Sequence, residues 1–240
     1  MFVITLIAKP GKLQPVLVES LRNAWGGQSA QWLAADEAAE FAVETKPANL
    51  WDVWMDVQGM GIDMVCQPLP GRRKSMLLAD MDSTMIQQEC IDELADEAGV
   101  GARVANITAR AMNGELDFEA ALIERVGLLR CLDEAVIGKV LAERITYTPG
   151  GATLLATMKA NGGYAALVSG GFTAFTAQVS AELGFDENRA NTLFIRNGKL
   201  TGDVGRPILG KAAKVQALED ITARIGISHE DVIAVGDGAN

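Results

Sequence analysis

Apolar positions recur along this chain with two different periods, and the points where one period gives way to the other mark its elements. Residues 2–8 (Phe-Val-Ile-Thr-Leu-Ile-Ala) are rich in β-branched side chains and predict a strand. Leu13, Val16, Leu17, Leu21 and Trp25 then recur at helical spacing until Gly26-Gly27 stops them. Strands over 31–34 and 41–45, a helix over 48–57 and a strand over 62–67 follow. Pro68, Pro70 and Gly71, with Arg72-Arg73-Lys74 behind them, read as a linker over 68–74 that closes a first domain over 1–67.

The second stretch, 75–240, opens with the uninterrupted apolar run Met76–Ala79, the pattern of a strand buried on both faces. Helical spacing takes over at 89–98, 104–112, from Asp117 as an N-cap with Phe118, Leu122 and Val126 inward, and at 133–144. A helical block of about 88–147 therefore interrupts an α/β pattern directly after its first strand, where it can act as a lid. A helix from Gly150-Gly151 to Ala160, a buried strand over 164–168 and a helix over 173–183 resume that pattern. Residues 191–195 and 200–204 flank Arg196-Asn197-Gly198-Lys199 as a hairpin, Asn-Gly being a type I′ turn signal. The helix over 211–225 turns Val215, Leu218, Ile221 and Ile225 inward, and a last strand spans 232–235.

Two of the three buried strands end in acids. Asp80 and Asp82 follow the first, Asp237 follows the last, and Ser169-Gly170-Gly171 follows the middle one. On a parallel sheet these endings share the carboxyl edge, where open α/β sheets bind ligands. Asp80 can attack a phosphoryl group and Asp82 can carry the proton, provided a cation offsets their repulsion. The Asp80 side chain, the Asp82 main chain and Asp237 are a hard-oxygen set suited to Mg²⁺. Ser169 and the glycine N–H groups at the helix start can face an anion.

Composition narrows the setting. The chain has 240 residues, 49% hydrophobic and 22% charged, enough to bury a full core. Its net charge of -10, with no basic cluster beyond 72–74, argues against nucleic acid and anionic membranes as partners. Any anionic substrate is then held by local cations. Cys66, Cys90 and Cys131 are unpatterned, the N-terminal residues lack signal-peptide character, and no apolar run is long enough to span a bilayer. The expectation is a cytoplasmic protein. His229 reads as loop and Cys90 as a small apolar residue.

Asp80-Met-Asp82-Ser-Thr84, Ser169-Gly170-Gly171, Lys214 and Gly236-Asp237-Gly238-Ala-Asn240 resemble the four motifs of haloacid dehalogenase-type phosphatases. The strings around Glu89-Cys-Ile-Asp-Glu, Val168-Ser-Gly-Gly-Phe172 and Leu200-Thr-Gly-Asp-Val204 resemble the phosphoserine-hydrolysing branch. The resemblance covers about 75–240 and implies a Rossmann-like parallel sheet with a helical cap. It implies Mg²⁺-dependent hydrolysis of O-phospho-L-serine, with Asp80 as nucleophile and Asp82 as proton carrier. Asp80, Asp82 and Asp237 would hold the metal; Ser169, Gly170 and Lys214 would hold the phosphoryl oxygens, with Asn240 supporting the site. Glu89 and Arg125 align with the pair that reads the substrate's ammonium and carboxylate, and Met112 and Phe118 with apolar lid residues. The family's last motif carries a further acid, then another strand and helices, beyond the position of Asn240. With those lacking from the sequence given, metal binding and turnover are expected to be impaired and the fold up to 240 kept.

The β-α-β-β-α-β order of 1–67 is that of a ferredoxin-like α+β module and resembles ACT-type regulatory domains, which bind amino acids or pair into dimers. A homodimer is one expectation from it. Two alternatives stay open. One is a related phosphatase or phosphotransferase for another small metabolite. The other is a catalytically impaired form that works only through amino-acid binding or dimerisation.

Overall fold

The computed structural model describes residues 1–238, so Asn240 lies outside the described residues. The chain divides into two compact units, Met1–Arg73 and Lys74 onward.

In the first unit, β1 (Phe2–Ala8), β2 (Gln31–Ala34), β3 (Ala38–Val43) and β4 (Ile62–Pro68) form one antiparallel sheet in the order β2-β3-β1-β4. Helices α1 (Pro15–Ala24) and α2 (Leu50–Gly59) complete the β-α-β-β-α-β order expected from the sequence. Period-2 patterning turns Ile4, Leu6, Phe41, Val43 and Met64 inward, where they meet Leu13, Val18, Leu50 and Val57. Val16, expected on the inner stripe of α1, points to solvent. Residues beyond β4 stay attached to this unit: the Leu69 N–H donates to the Met1 carbonyl (3.2 Å), and Arg72 forks onto Glu40 (2.6 and 2.7 Å).

The second unit is built on a parallel sheet of β5 (Met76–Ala79), β6 (Tyr164–Phe172), β7 (Glu187–Asn191) and β10 (Val232–Val235), in the order β10-β5-β6-β7. Both faces of β5 are covered, which is why its apolar run is continuous. Leu77 and Ala79 pack with Phe175, Val179 and residues of the helical block, while Met76 and Leu78 pack against Ala217 and Ile221 of α9 (Lys211–Ile225). The α9 face is rotated from the expected one: Lys214, Ala217, Leu218 and Ile221 share it, and Val215 is exposed. Helices α7 (Gly151–Ala160) and α8 (Thr173–Leu183) flank β6.

Helices α3 (Cys90–Glu97), α4 (Gly101–Met112), α5 (Phe118–Gly127) and α6 (Ala135–Glu143) form the predicted block between β5 and α7. Asp117 caps α5 as expected, accepting from the Ala120 N–H at 2.8 Å. Arg144 reaches Glu93, Asp96 and Glu97 at 2.5, 3.3 and 3.2 Å and ties the end of α6 to α3. The chain enters and leaves this block through two antiparallel segments joined from Gln87 N–H to the Thr146 carbonyl (2.9 Å) and from Thr148 N–H to the Met85 carbonyl (3.0 Å). The Gln88 amide and Thr146 add a reciprocal pair at 2.8 and 2.9 Å.

The stretch after α8 departs from expectation. A single strand over 191–195 was predicted; instead β7 ends at Asn191, and β8 (Leu193–Arg196) pairs with β9 (Lys199–Val204) in a separate hairpin. That hairpin docks on the helical block, where the Cys131 N–H donates to the Leu200 carbonyl (2.9 Å).

Candidate active site

Strand β5 sits between β10 and β6, so the carboxyl ends of three strands meet where the strand order reverses. Ala79 is level with Val235 and with Leu167. Asp80, Asp237 and Ser169, one or two residues further on, therefore stand at one edge.

Asp80 is buried. Its Oδ1 accepts from the Met81 N–H (2.8 Å), and its Oδ2 is the partner of Lys214 Nζ. Lys214 can reach it because it occupies the inner face of the first turns of α9. Past Asp80 the chain makes a wide turn, Met81–Met85, in which Ser83 adopts a left-handed backbone (φ 51°). A non-glycine residue held there is strained, a condition that clusters at functional sites. The turn brings Ser83 Oγ to donate to Glu89 Oε1 at 2.7 Å.

Asp82 is held from two sides. The Cys90 N–H, at the start of α3, donates to its Oδ1 (2.9 Å), and Ser169 Oγ donates to its Oδ2 (3.1 Å). Burial pushes the Asp82 carboxyl up from its ordinary value, the charge of Asp80 adds to that, and the two donors oppose it. Asp80 and Asp82 are thus unlike: one is paired with a cation, the other is inclined to keep a proton. That division suits a nucleophile beside an acid–base group.

Ser169 lies where the β6–β7 ladder breaks. Val168 pairs with Arg189 and Phe172 with Asn191, so four residues of β6 advance against two of β7, and Ser169-Gly170-Gly171 bulge out of the sheet. Glycine is required at 171, because a Cβ there would stand 2.4 Å from Asp82 Oδ2 and 3.1 Å from Ser169 Oγ. Gly171→Ala is expected to lower melting stability by about 1–3 kcal/mol, as overpacking does, and to cut turnover by displacing Asp82. Thermal unfolding and a steady-state assay check it; unchanged values in both would mean the bulge relaxes freely.

The helical block closes over this edge. Asp80, Asp82, Glu89, Leu122, Arg125, Phe118 and the Ser169–Phe172 segment line one small cavity with Ile91. The Phe118 ring lies against the Cα positions of both Gly170 and Gly210, where added Cβ atoms would approach it to 3.1 and 3.0 Å. Met112, aligned beside Phe118 in the sequence, is exposed and lies outside the cavity lining. Burial raises the Glu89 carboxyl, and the charges of Asp82, Asp92 and Asp237 raise it further against the Ser83 hydroxyl. Burial pulls the Arg125 guanidinium down, while Asp92, Glu89 and Asp82 hold it up. The structure thus gathers Asp80, Asp82, Glu89, Arg125, Ser169 and Gly170 on one cavity, with Lys214 on Asp80. Among the described residues, no three His, Cys, Asp or Glu side chains form a ready cage for a metal. Asn191, which no motif in the sequence singles out, donates from its side chain to the Gly170 carbonyl (2.8 Å).

A model of the haloacid dehalogenase-like hydrolase family matches residues 77–240, a range that contains every residue lining this cavity. The chain belongs to that family. Among curated relatives, the phosphoserine phosphatase of Archaeoglobus fulgidus is 44% identical over 187 residues, covering 77% of this chain and 54% of that protein. This hydrolase-family chain spans about half the length of the first two such relatives. Among solved structures, a HAD family hydrolase of Salmonella enterica serovar Typhi is similar over 99% of this chain and 84% of its own (TM-score 0.84, 31% identity). A substrate-bound phosphoserine phosphatase complex matches 70% of this chain and 80% of its own (TM-score 0.65, 43% identity). The HAD core and its helical cap are therefore a shared architecture. Among the described residues no helix is long and apolar enough to cross a membrane.

Proposed function

We propose that this HAD hydrolase converts O-phospho-L-serine and water to L-serine and phosphate through an aspartyl-phosphate on Asp80. The observation that carries the reading is Glu89 and Arg125 lining the same small cavity as Asp80, Asp82 and Ser169. A carboxylate and a guanidinium beside a phosphoryl cradle fit an ammonium and a carboxylate on the same small phosphomonoester. The 44% identity to a relative named phosphoserine phosphatase supports that substrate.

In the first step an Asp80 oxygen attacks phosphorus, the bond from phosphorus to the seryl oxygen breaks, and Asp82 gives its proton to that oxygen. In the second, Asp82 takes a proton from water as the water attacks phosphorus, and the Asp80 carboxylate leaves. Lys214, Ser169 Oγ and the N–H of Gly170 hold the transferring oxygens, where stabilisation counts most in phosphoryl transfer. Phe118 and Leu122 exclude water around the serine moiety.

A divalent cation fits these residues. Asp80, Asp237 and the Asp82 main chain offer only oxygen donors, too few for a closed cage and right for Mg²⁺, which keeps waters and takes phosphate oxygens. When bound, it offsets clustered negative charge and polarises the phosphoryl group. The family's last motif assigns Asn240, outside the described residues, a supporting role. A cytoplasmic setting fits its three free thiols.

The pairing of Glu89 and Arg125 with substrate is tested by a panel. The chain should prefer O-phospho-L-serine to phosphoethanolamine, which lacks the carboxylate, and to phosphoglycolate, which lacks the ammonium. Arg125→Ala should raise KM for phosphoserine by about 10- to 100-fold, the size of one lost charge-assisted contact, and spare p-nitrophenyl phosphate. An equal loss on both substrates would remove Arg125 from substrate reading.

A further inference from the structure

Asn191 is fully buried at the end of β7 and uses both donors of its side-chain amide and its carbonyl oxygen. Its Nδ2 donates to the Gly170 carbonyl (2.8 Å) and to the Leu209 carbonyl (3.1 Å), and its Oδ1 accepts from the Leu209 N–H (2.7 Å). The two bonds to Leu209 imitate a strand pairing. The bond to Gly170 supplies a partner that the interrupted ladder leaves out at the bulge.

Two consequences follow from covalent geometry. In a trans peptide the carbonyl of one residue and the N–H of the next are antiparallel. Fixing the Gly170 carbonyl on Asn191 therefore aims the Gly171 N–H the opposite way, where it donates to Ser169 Oγ at 2.8 Å. Ser169 Oγ in turn donates to Asp82 Oδ2 at 3.1 Å. Leu209, the other partner, directly precedes Gly210, the N-cap residue of α9, and so helps set the position of Lys214. The carbon position of Gly210 also touches the Phe118 ring that covers Gly170.

We propose that Asn191 is a positioning residue that locks the Ser169–Gly171 bulge to the start of α9, so that Ser169 and Lys214 present one rigid phosphoryl cradle. This deepens, and rests on, the reading of that cradle as the site of phosphoryl transfer. A neutral amide is needed: a carboxylate at 191 would set a negative oxygen against the carbonyls of Gly170 and Leu209, and a shorter side chain would reach neither.

The test compares the 240-residue chain with Asn191→Asp and Asn191→Ser, by amide hydrogen exchange and by steady-state kinetics. Both variants should speed exchange of the Gly171 amide by on the order of tenfold, the effect of one lost hydrogen bond, and leave the Ala165–Val168 amides protected; the Leu209 amide should exchange faster in Asn191→Ser, whereas the Asn191→Asp carboxylate still accepts from it. In the same variants kcat for phosphoserine should fall at least about tenfold with KM within threefold, since Glu89 and Arg125 are untouched. Unchanged exchange and kcat in both variants would overturn the assignment. So would a loss of protection spread evenly along β6, which is the mark of general destabilisation. A wild-type chain that released no phosphate would count against phosphoserine hydrolysis, while the exchange result would still decide the role of Asn191.

Discussion

Replacing Asp80 by Asn abolishes phosphate release, by on the order of 10⁴-fold or more, because an amide cannot form the acyl-phosphate bond. Asp80 sits at the end of a strand buried on both faces, with Oδ1 on the Met81 N–H and Oδ2 on Lys214. An Asn keeps the first contact. It loses the second, leaving the half-buried Lys214 ammonium beside a neutral group, so a modest loss of stability accompanies the loss of chemistry. Removing one partner of a buried ion pair can cost about 3–5 kcal/mol, but Lys214 retains a path to solvent that lowers this figure. Thermal unfolding separates the two effects. A folded Asp80→Asn chain with turnover within tenfold of wild type would exclude Asp80 as the nucleophile.

The second large effect is at Asp82. Asp82→Asn removes the group that protonates the leaving oxygen and later takes the proton from water, each a contribution of about 10²–10⁴-fold. The two roles separate with substrates of different leaving group. With O-phospho-L-serine, whose alkoxide leaves badly, the variant is slow in the first step. With p-nitrophenyl phosphate, whose phenolate needs no proton, the first step survives and the second does not. A burst of p-nitrophenol stoichiometric with enzyme, followed by a slow phase, is the expected record. Equal slowing on both substrates without a burst would place the essential proton transfer elsewhere. The geometry favours the burst. Asp82 is held by Cys90 and Ser169 in a pose that does not depend on Asp80, and its carboxyl is raised by burial.

Much of this was legible in the residue pattern, for definite reasons. Met76–Ala79 is buried on two faces and thus apolar throughout, and the acid that ends it could only project from the sheet edge; Val232–Val235, expected to be buried as well, is an edge strand that is only partly covered, with Ala234 exposed. The α3–α6 block was visible because each helix buries one stripe, as in Val104 and Ile107 or Leu122 and Val126. Strand β7 was missed. Glu187-Asn-Arg-Ala-Asn191 is polar because it is an edge strand whose side chains serve ion pairs and the bulge, so neither a period-2 nor an apolar signal survives. With β7 unseen, Asn191 was assigned to the hairpin and its part in the cradle was out of reach. Lys214 was assigned by motif alone, since the apolar stripe suggested Val215 as an inner residue and the observed face is rotated by one position. The Glu89–Arg125 convergence depends on how the helical block folds back over the edge, and no local pattern encodes that.

Phosphate and serine release from O-phospho-L-serine by the wild-type chain, with Mg²⁺ and with EDTA, decides whether it is a metal-dependent phosphoserine hydrolase. Equimolar L-serine and phosphate are expected with the metal, and loss of both with the chelator. Release that persists undiminished in EDTA, or no release under either condition from a folded chain, would contradict that assignment.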